Sequence, residues 1–227
     1  MGRRDRFDGH IAGIGSASGT RVVVGHWHST PLGSFSDAMV ETAGGHRVLL
    51  APTEEVADYI TSTYVFDEVR LEPLSCTAGG ASWVVTSPSL SLDLTVGSRM
   101  PLGWLLRAVP RPLGASPLWA RLVNPVARVV LPGVRTVGTA LEGRREFYGA
   151  TDLRRVTAMS GSFDGTPLGA LADIDPPCRF GFSSTPRTPS VTTVVTTVVR
   201  SARPGTVVTR RSVGHDGHGH GTGRHTG

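Results

Sequence analysis

The stretch that most constrains the fold runs from Gly45 to Leu74 and reads GHRVLLAP, TEEVADYITSTY, VFDEVRLEPL. Behind a Gly-Gly turn, His46 to Leu50 carries an apolar run suited to a buried strand, and Pro52 stops it. Thr53 is placed to cap a helix. Glu54 and Glu55 follow in the first turn, where negative charge meets the positive end of the helix dipole. Val56, Tyr59, Ile60 and Thr63 recur at helical spacing, so the pattern predicts a helix over about 54–63. Tyr64 to Leu74 then returns to alternation, with Val65, Val69 and Leu71 set among Asp67, Glu68, Arg70 and Glu72. Strand, capped helix, strand is the reading. It specifies architecture and names no chemistry.

Around this unit the periodicity predicts strands at Arg21–His28, Phe35–Glu41 and Trp83–Val96, the last alternating at Leu90, Leu92, Leu94 and Val96. Gly103–Val109 reads as a short helix stopped by Pro110 and Pro112. A second stripe, Leu118 to Val130 behind Ser116-Pro117, predicts a helix over about 117–131 with a kink at Pro125. Strands resume at Val134–Leu141, Arg145–Gly149 and Leu153–Ser160, with Asp164-Gly165 as a tight turn. Val191–Val199 is entirely β-branched and reads as a strand. At 227 residues the chain is long enough for one good-sized core. The expectation is an α+β domain over 20–199, a mostly antiparallel barrel or cone-like sheet with two or three short helices. A flexible arm, 1–19, precedes it, and a disordered Gly/His/Arg-rich tail, 200–227, follows.

Every cationic side chain other than histidine is arginine; the sequence contains no lysine. Schiff-base and phosphate-loop lysines are therefore excluded. The formal charge of +5 is unevenly spread. Residues 1–93 carry six arginines against eleven acids, residues 94–141 six arginines and no acid, and residues 200–227 five arginines and one aspartate. The basic character belongs largely to the tail, which argues against a nucleic-acid face. The central basic block is expected to fold against the acidic N-terminal half. Cys76 and Cys178 give neither a disulfide framework nor zinc-finger spacing. No apolar run is long enough to span a bilayer, and the expected compartment is the cytoplasm.

Several motifs carry possible chemistry. Gly13-Ile14-Gly15-Ser16-Ala17-Ser18-Gly19 has the look of a nucleotide fingerprint, but its glycines precede a strand instead of opening a helix, so it reads as the mobile arm. His26 and His28 flank Trp27 on a strand, which points both imidazoles to one face. With Asp37, Glu41 or His46 they offer the start of a metal site, and without a defined third ligand they read as polar lining. In the tail, His215, His218 and His220 suit adventitious zinc or nickel; no other cofactor is implied. Arg121 and Arg128 lie seven apart on one helical face, open to an anionic ligand, to intramolecular pairing or to a membrane surface. Arg107, beside Trp104 between proline breaks, reads as a pocket residue. There is no GxSxG, and adjacent Asp67 and Glu68 face opposite ways on a strand.

The order PLGSFSDAMVE, then HRVLLAPTEEVADYI, a further strand, the proline-broken segment Gly103–Pro112 and the late DLRRVTAMSGSFDG hairpin resembles that of acetoacetate decarboxylase-like proteins over roughly residues 30–185. The resemblance implies a barrel or cone with a pocket for a small, often acidic, organic molecule. The enzymes of that family carry a lysine pair just after the helix, where this chain reads Tyr64-Val65-Phe66-Asp67, so imine-forming decarboxylation is excluded. It resembles a lysine-less relative of the kind found in actinobacteria. The function expected is binding of a small organic acid, with Arg107, Trp104, Tyr64, His26 and His28 as ligand residues. The alternatives are a lyase- or hydrolase-like enzyme using His26 and His28, with a metal or as general base, and metal handling through the tail. The partner expected is a small molecule.

Overall fold

The computed structural model describes residues 4–110, 113, 116, 118–119, 137–139, 144–181 and 184–200, with the main chain alone at 137–139, 144–146 and 200. Thirteen strands among them form one sheet. They are β1 Arg4–Ser16, β2 Arg21–Ser29, β3 Phe35–Glu41, β4 Arg47–Ala51, β5 Glu68–Leu71, β6 Ser75–Gly79, β7 Ser82–Thr86, β8 Leu90–Arg99, β9 Val137–Thr139, β10 Arg144–Phe163, β11 Thr166–Pro167, β12 Leu171–Ala172 and β13 Ser190–Arg200. The helices are α1 Glu54–Thr61 and α2 Pro101–Ala108. Along the sheet the order is β5-β4-β3-β2-β1-β13-β10-β8-β7-β6, antiparallel except where β4 meets β5. The fold is α+β and barrel-like, as the sequence predicts. The sheet curls so that Val22, Val24, Val40 and Leu50 pack in one cluster with Trp83, Val85, Leu92 and Leu94 from its far end. The opposite face of β3 and β4 is covered by α1, through Val56, Ala57 and Ile60 on Leu49 and Ala51.

The strand–helix–strand unit forms as its sequence dictates. Thr53 caps α1, its Oγ1 accepting from the Val56 N–H at 3.3 Å. The crossover returns the chain parallel to β4, the arrangement that such a unit requires.

Four expectations need correction. Residues 4–16 are not an arm: they form β1, paired with β2 on one side and β13 on the other. Its glycines are what the packing demands, because a Cβ at Gly9 would lie 2.3 Å from the His26 carbonyl oxygen, and one at Gly15 2.2 Å from that of Asp173. Trp83–Val96 is not a single strand but the β7–β8 hairpin, turned at Ser87–Ser89. The two strands expected within 145–160 are one, β10, bent by a bulge between Ala150 and Asp152 where it meets β13. The alternation after α1 condenses to four residues of strand, and its apolar side faces out: Val69 is 44% and Leu71 58% exposed. Of the central basic block, Arg99 binds Asp152 of β10, while Arg111, Arg121, Arg128 and Arg135, on which the expected pairing with the acidic half also rests, lie outside the described residues. Of the helix expected over 117–131 only Leu118 and Trp119 are described, both helical; Arg121 and Arg128, and the tail beyond Arg200 with its histidines, lie outside the described residues.

Candidate functional site

Directly opposed residues on neighbouring strands share a face of the sheet. His26 opposes Ser36 on β3 and His10 on β1; His10 opposes Thr193 on β13, and Thr193 opposes Asp152 on β10. One polar row, Ser36–His26–His10–Thr193–Asp152, therefore crosses five strands. Two residues further along is the apolar row Ala38–Val24–Ala12–Val191, part of the main core. The polar row thus sits at the mouth of the barrel interior.

His28 joins it from two residues beyond His26. Its Nε2 lies 3.0 Å from His10 Nδ1, and the two rings meet edge to face. His26 Nδ1 lies 2.8 Å from Ser36 Oγ, and its ring centre is 4.7 Å from that of His28. Trp83 reaches across from β7 and stands edge-on to His10 and His26, at 6.0 and 5.8 Å between ring centres, closing the core beneath them. Burial, and then the neighbouring His28 and His26, hold His10 below the usual histidine pKa, with Asp152 opposing. Burial followed by His28 does the same to His26. Both imidazoles are neutral at pH 7, each with one N–H to donate and one nitrogen lone pair to accept with.

Asp152 marks the other end of the row. The bulge aims its carboxylate at Arg99, whose Nε and Nη2 donate to Oδ1 and Oδ2 at 2.6 and 2.9 Å. Burial is the largest influence on the Asp152 carboxyl and raises its pKa, but the Arg99 hydrogen bonds, the Leu153 N–H and the charges of Arg99 and Arg107 together outweigh it and hold the carboxyl below its usual range. The Arg99 guanidinium also lies 4.5 Å over the Trp104 ring.

The sequence candidates do not all converge here. His26 and His28 come together as expected. Trp104 and Arg107 stand exposed on α2, outside the histidine cluster. Tyr64 packs with α1 and with Ile174, Cys178 and Phe180, its hydroxyl against that of Tyr148, away from the histidines. None of the side chains offered as a third metal ligand joins the histidines: Asp37 is buried under the Trp27 indole, Glu41 is held by Arg21 and Arg179, and His46 pairs with Glu68. Among the described residues no group of three or more histidine, cysteine, aspartate or glutamate side chains is arranged to hold a metal. Burial pushes both cysteine thiols up to about 11, so neither is an activated nucleophile. Three members escaped sequence reasoning: His10, read as part of an arm, and Arg99 and Asp152, brought together by a bulge. The apolar residues Phe7, Ile11, Ala12 and Ile14 around His10 were the signal available for the first.

No family model matches the chain, and no curated protein does either. Among solved structures it is similar to an acetoacetate decarboxylase from Legionella pneumophila, at 7% identity over 87% of this chain and 82% of that one, with a TM-score of 0.37. A second acetoacetate decarboxylase structure gives 9% identity, 86% and 84% coverage, and a TM-score of 0.36. At these scores the likeness carries no argument about the site.

Proposed function

We propose that the protein is a cytoplasmic binder of a small organic acid, held at the barrel mouth by His10, His26 and His28, with the Arg99–Asp152 pair at the flank of the site. The observation that carries this reading is the three-histidine cluster above Trp83. Neutral His10 and His26 can donate N–H to a carboxylate at the edge of an apolar core. Without lysine the site has no route to an imine, so the acid is bound and not decarboxylated through that chemistry. Exposed Arg107 and Trp104 and distant Tyr64 are left out of the site. A second reading, favoured by the neutral state of His10 and His26, is general-base catalysis on the same class of ligand.

Binding an anion favours protonated imidazole, so affinity should rise as pH falls below the ordinary histidine value of 6.5. Native mass spectrometry of the purified chain, followed by calorimetric titration with a panel of small carboxylates, tests this. The expected result is saturable binding that strengthens at lower pH and drops at least tenfold in His10→Ala. Absence of saturable binding, or affinity unchanged in His10→Ala, overturns it. Turnover of a bound acid, lost in the same variant, would establish the second reading.

A further inference from the structure

Helix α2 leaves an apolar face exposed. Its sheet-facing contact is Gly103, where an added Cβ would lie 2.3 Å from the Leu153 carbonyl oxygen and 2.9 Å from the Leu153 nitrogen. Pro101, Trp104, Leu105 and Ala108 fall at i, i+3, i+4 and i+7, one face of the helix, and all four are exposed. Trp104 is 60% and Leu105 68% exposed, and nearby Leu113 and Leu118 are 44% and 63% exposed. Half of the eight exposed large hydrophobic residues found among the described residues thus fall within fifteen positions of sequence. Arg107 lies in the last turn of the same helix, exposed, and Arg99 stacks over the Trp104 ring at its start.

We propose that this face of α2 docks on an anionic lipid surface. Charge complementarity selects that occupant. Residues 94–141 contain six arginines and no acid, so the patch lies within a stretch with no negative partner of its own. A second copy meeting the patch about a two-fold axis would bring the same acid-free, arginine-bearing stretch against itself. Other segments of the same stretch would bring arginine to arginine too. A bilayer with anionic headgroups supplies both halves of what the face needs: apolar depth for Trp104 and Leu105, and negative charge for the guanidinium groups. Tryptophan at the headgroup level and arginine stems reaching back to phosphate are favoured there. The anchoring is peripheral, since no helix among the described residues is long and apolar enough to cross a membrane.

The test is co-sedimentation of the full chain with phosphatidylcholine vesicles and with vesicles that also contain phosphatidylserine. The expected result is binding to the second kind only, weakening with added salt. Leu105→Ser should weaken it with an unchanged melting temperature, Trp104→Ser/Leu105→Ser should lose it, and Arg107→Glu should weaken it several-fold. The proposal is overturned by no binding, by equal binding to both vesicles, by binding kept in the double variant (which would assign it to the basic tail), or by a lowered melting temperature in Leu105→Ser, which would mean that the chain itself covers the face. A Trp104-dependent dimer in sedimentation equilibrium would overturn it in favour of a second copy.

Discussion

Asp37 lies wholly inside the protein, on the opposite side of its strand from Ser36 and the histidine row, with the Trp27 indole N–H donating to its Oδ1 at 2.9 Å. Gly25 beside it leaves no spare room: a Cβ there would lie 2.4 Å from Oδ1. Burial raises the carboxyl from an ordinary 3.8 to about 6, and the Trp27 hydrogen bond only partly opposes this. The folded state therefore keeps the proton to higher pH than the unfolded chain does. Stability is whole below about pH 4 and is lost as pH rises through about 6. Above that the loss is complete, on the order of 2–3 kcal/mol. His10 and His26 act in the opposite sense, because their folded values lie below 6.5: their contribution is whole above 6.5 and is lost as pH falls. Asp37→Asn keeps an acceptor for Trp27 and removes the charge. We expect it to raise the melting temperature at neutral pH by several degrees, with the gain shrinking towards zero near pH 4. A melting difference constant across that range would show that the effect is not one of titration.

Helix α2 shows an element whose position rests on one residue. Replacing glycine by alanine inside a helix ordinarily stabilises it by about 1 kcal/mol. At Gly103 the sign should reverse, because the added methyl meets the β10 main chain at Leu153, which cannot swing aside as a side chain can. Gly103→Ala is expected to lower stability by about 1–3 kcal/mol in urea titration, with hydrogen exchange rising in α2 and mid-β10; a stabilised variant would refute the packing. At this scale the sequence was legible where local chemistry decides. Thr53, two glutamates and helical spacing made α1 readable, and unbroken β-branching made β13 readable. It was misread where the decisive neighbour is distant. The glycines of β1 look like flexibility until the His26 and Asp173 carbonyls are seen against them. The bulge at Asp152 has no local mark at all, and with it goes half of the candidate site.

A curled sheet with two ends must secure them, and here the fastening is polar. β5 and β6 are the edges. Unpaired edges invite association with other chains, and β5 adds to that by exposing Val69 and Leu71. Its register is turned so that Arg70 and, just beyond it, Glu72 face the barrel seam. Arg70 Nη1 donates to Ser89 Oγ at 3.0 Å and to Asp164 Oδ1 at 2.6 Å. Glu72 Oε2 accepts from Ser89 Oγ at 2.8 Å, and Oε1 from the Ser89 N–H at 3.3 Å. These bonds tie the β5 edge to the β7–β8 turn at Ser87–Ser89 and to the Asp164-Gly165 turn, where both residues have positive φ. Facing the apolar residues inward would have followed the sequence pattern, but it would have left the seam without this latch. Glu72 is buried, so Glu72→Ala takes the acceptor from the Ser89 O–H and N–H and should cost about 1–3 kcal/mol. The loss should appear first at the seam. Hydrogen exchange should quicken in β5 and the Ser87–Ser89 turn while β1 and β13 stay protected, and the variant should self-associate more readily through the freed β5 edge. Uniform quickening across the sheet, with no change in association, would show that the two ends are held by the core alone.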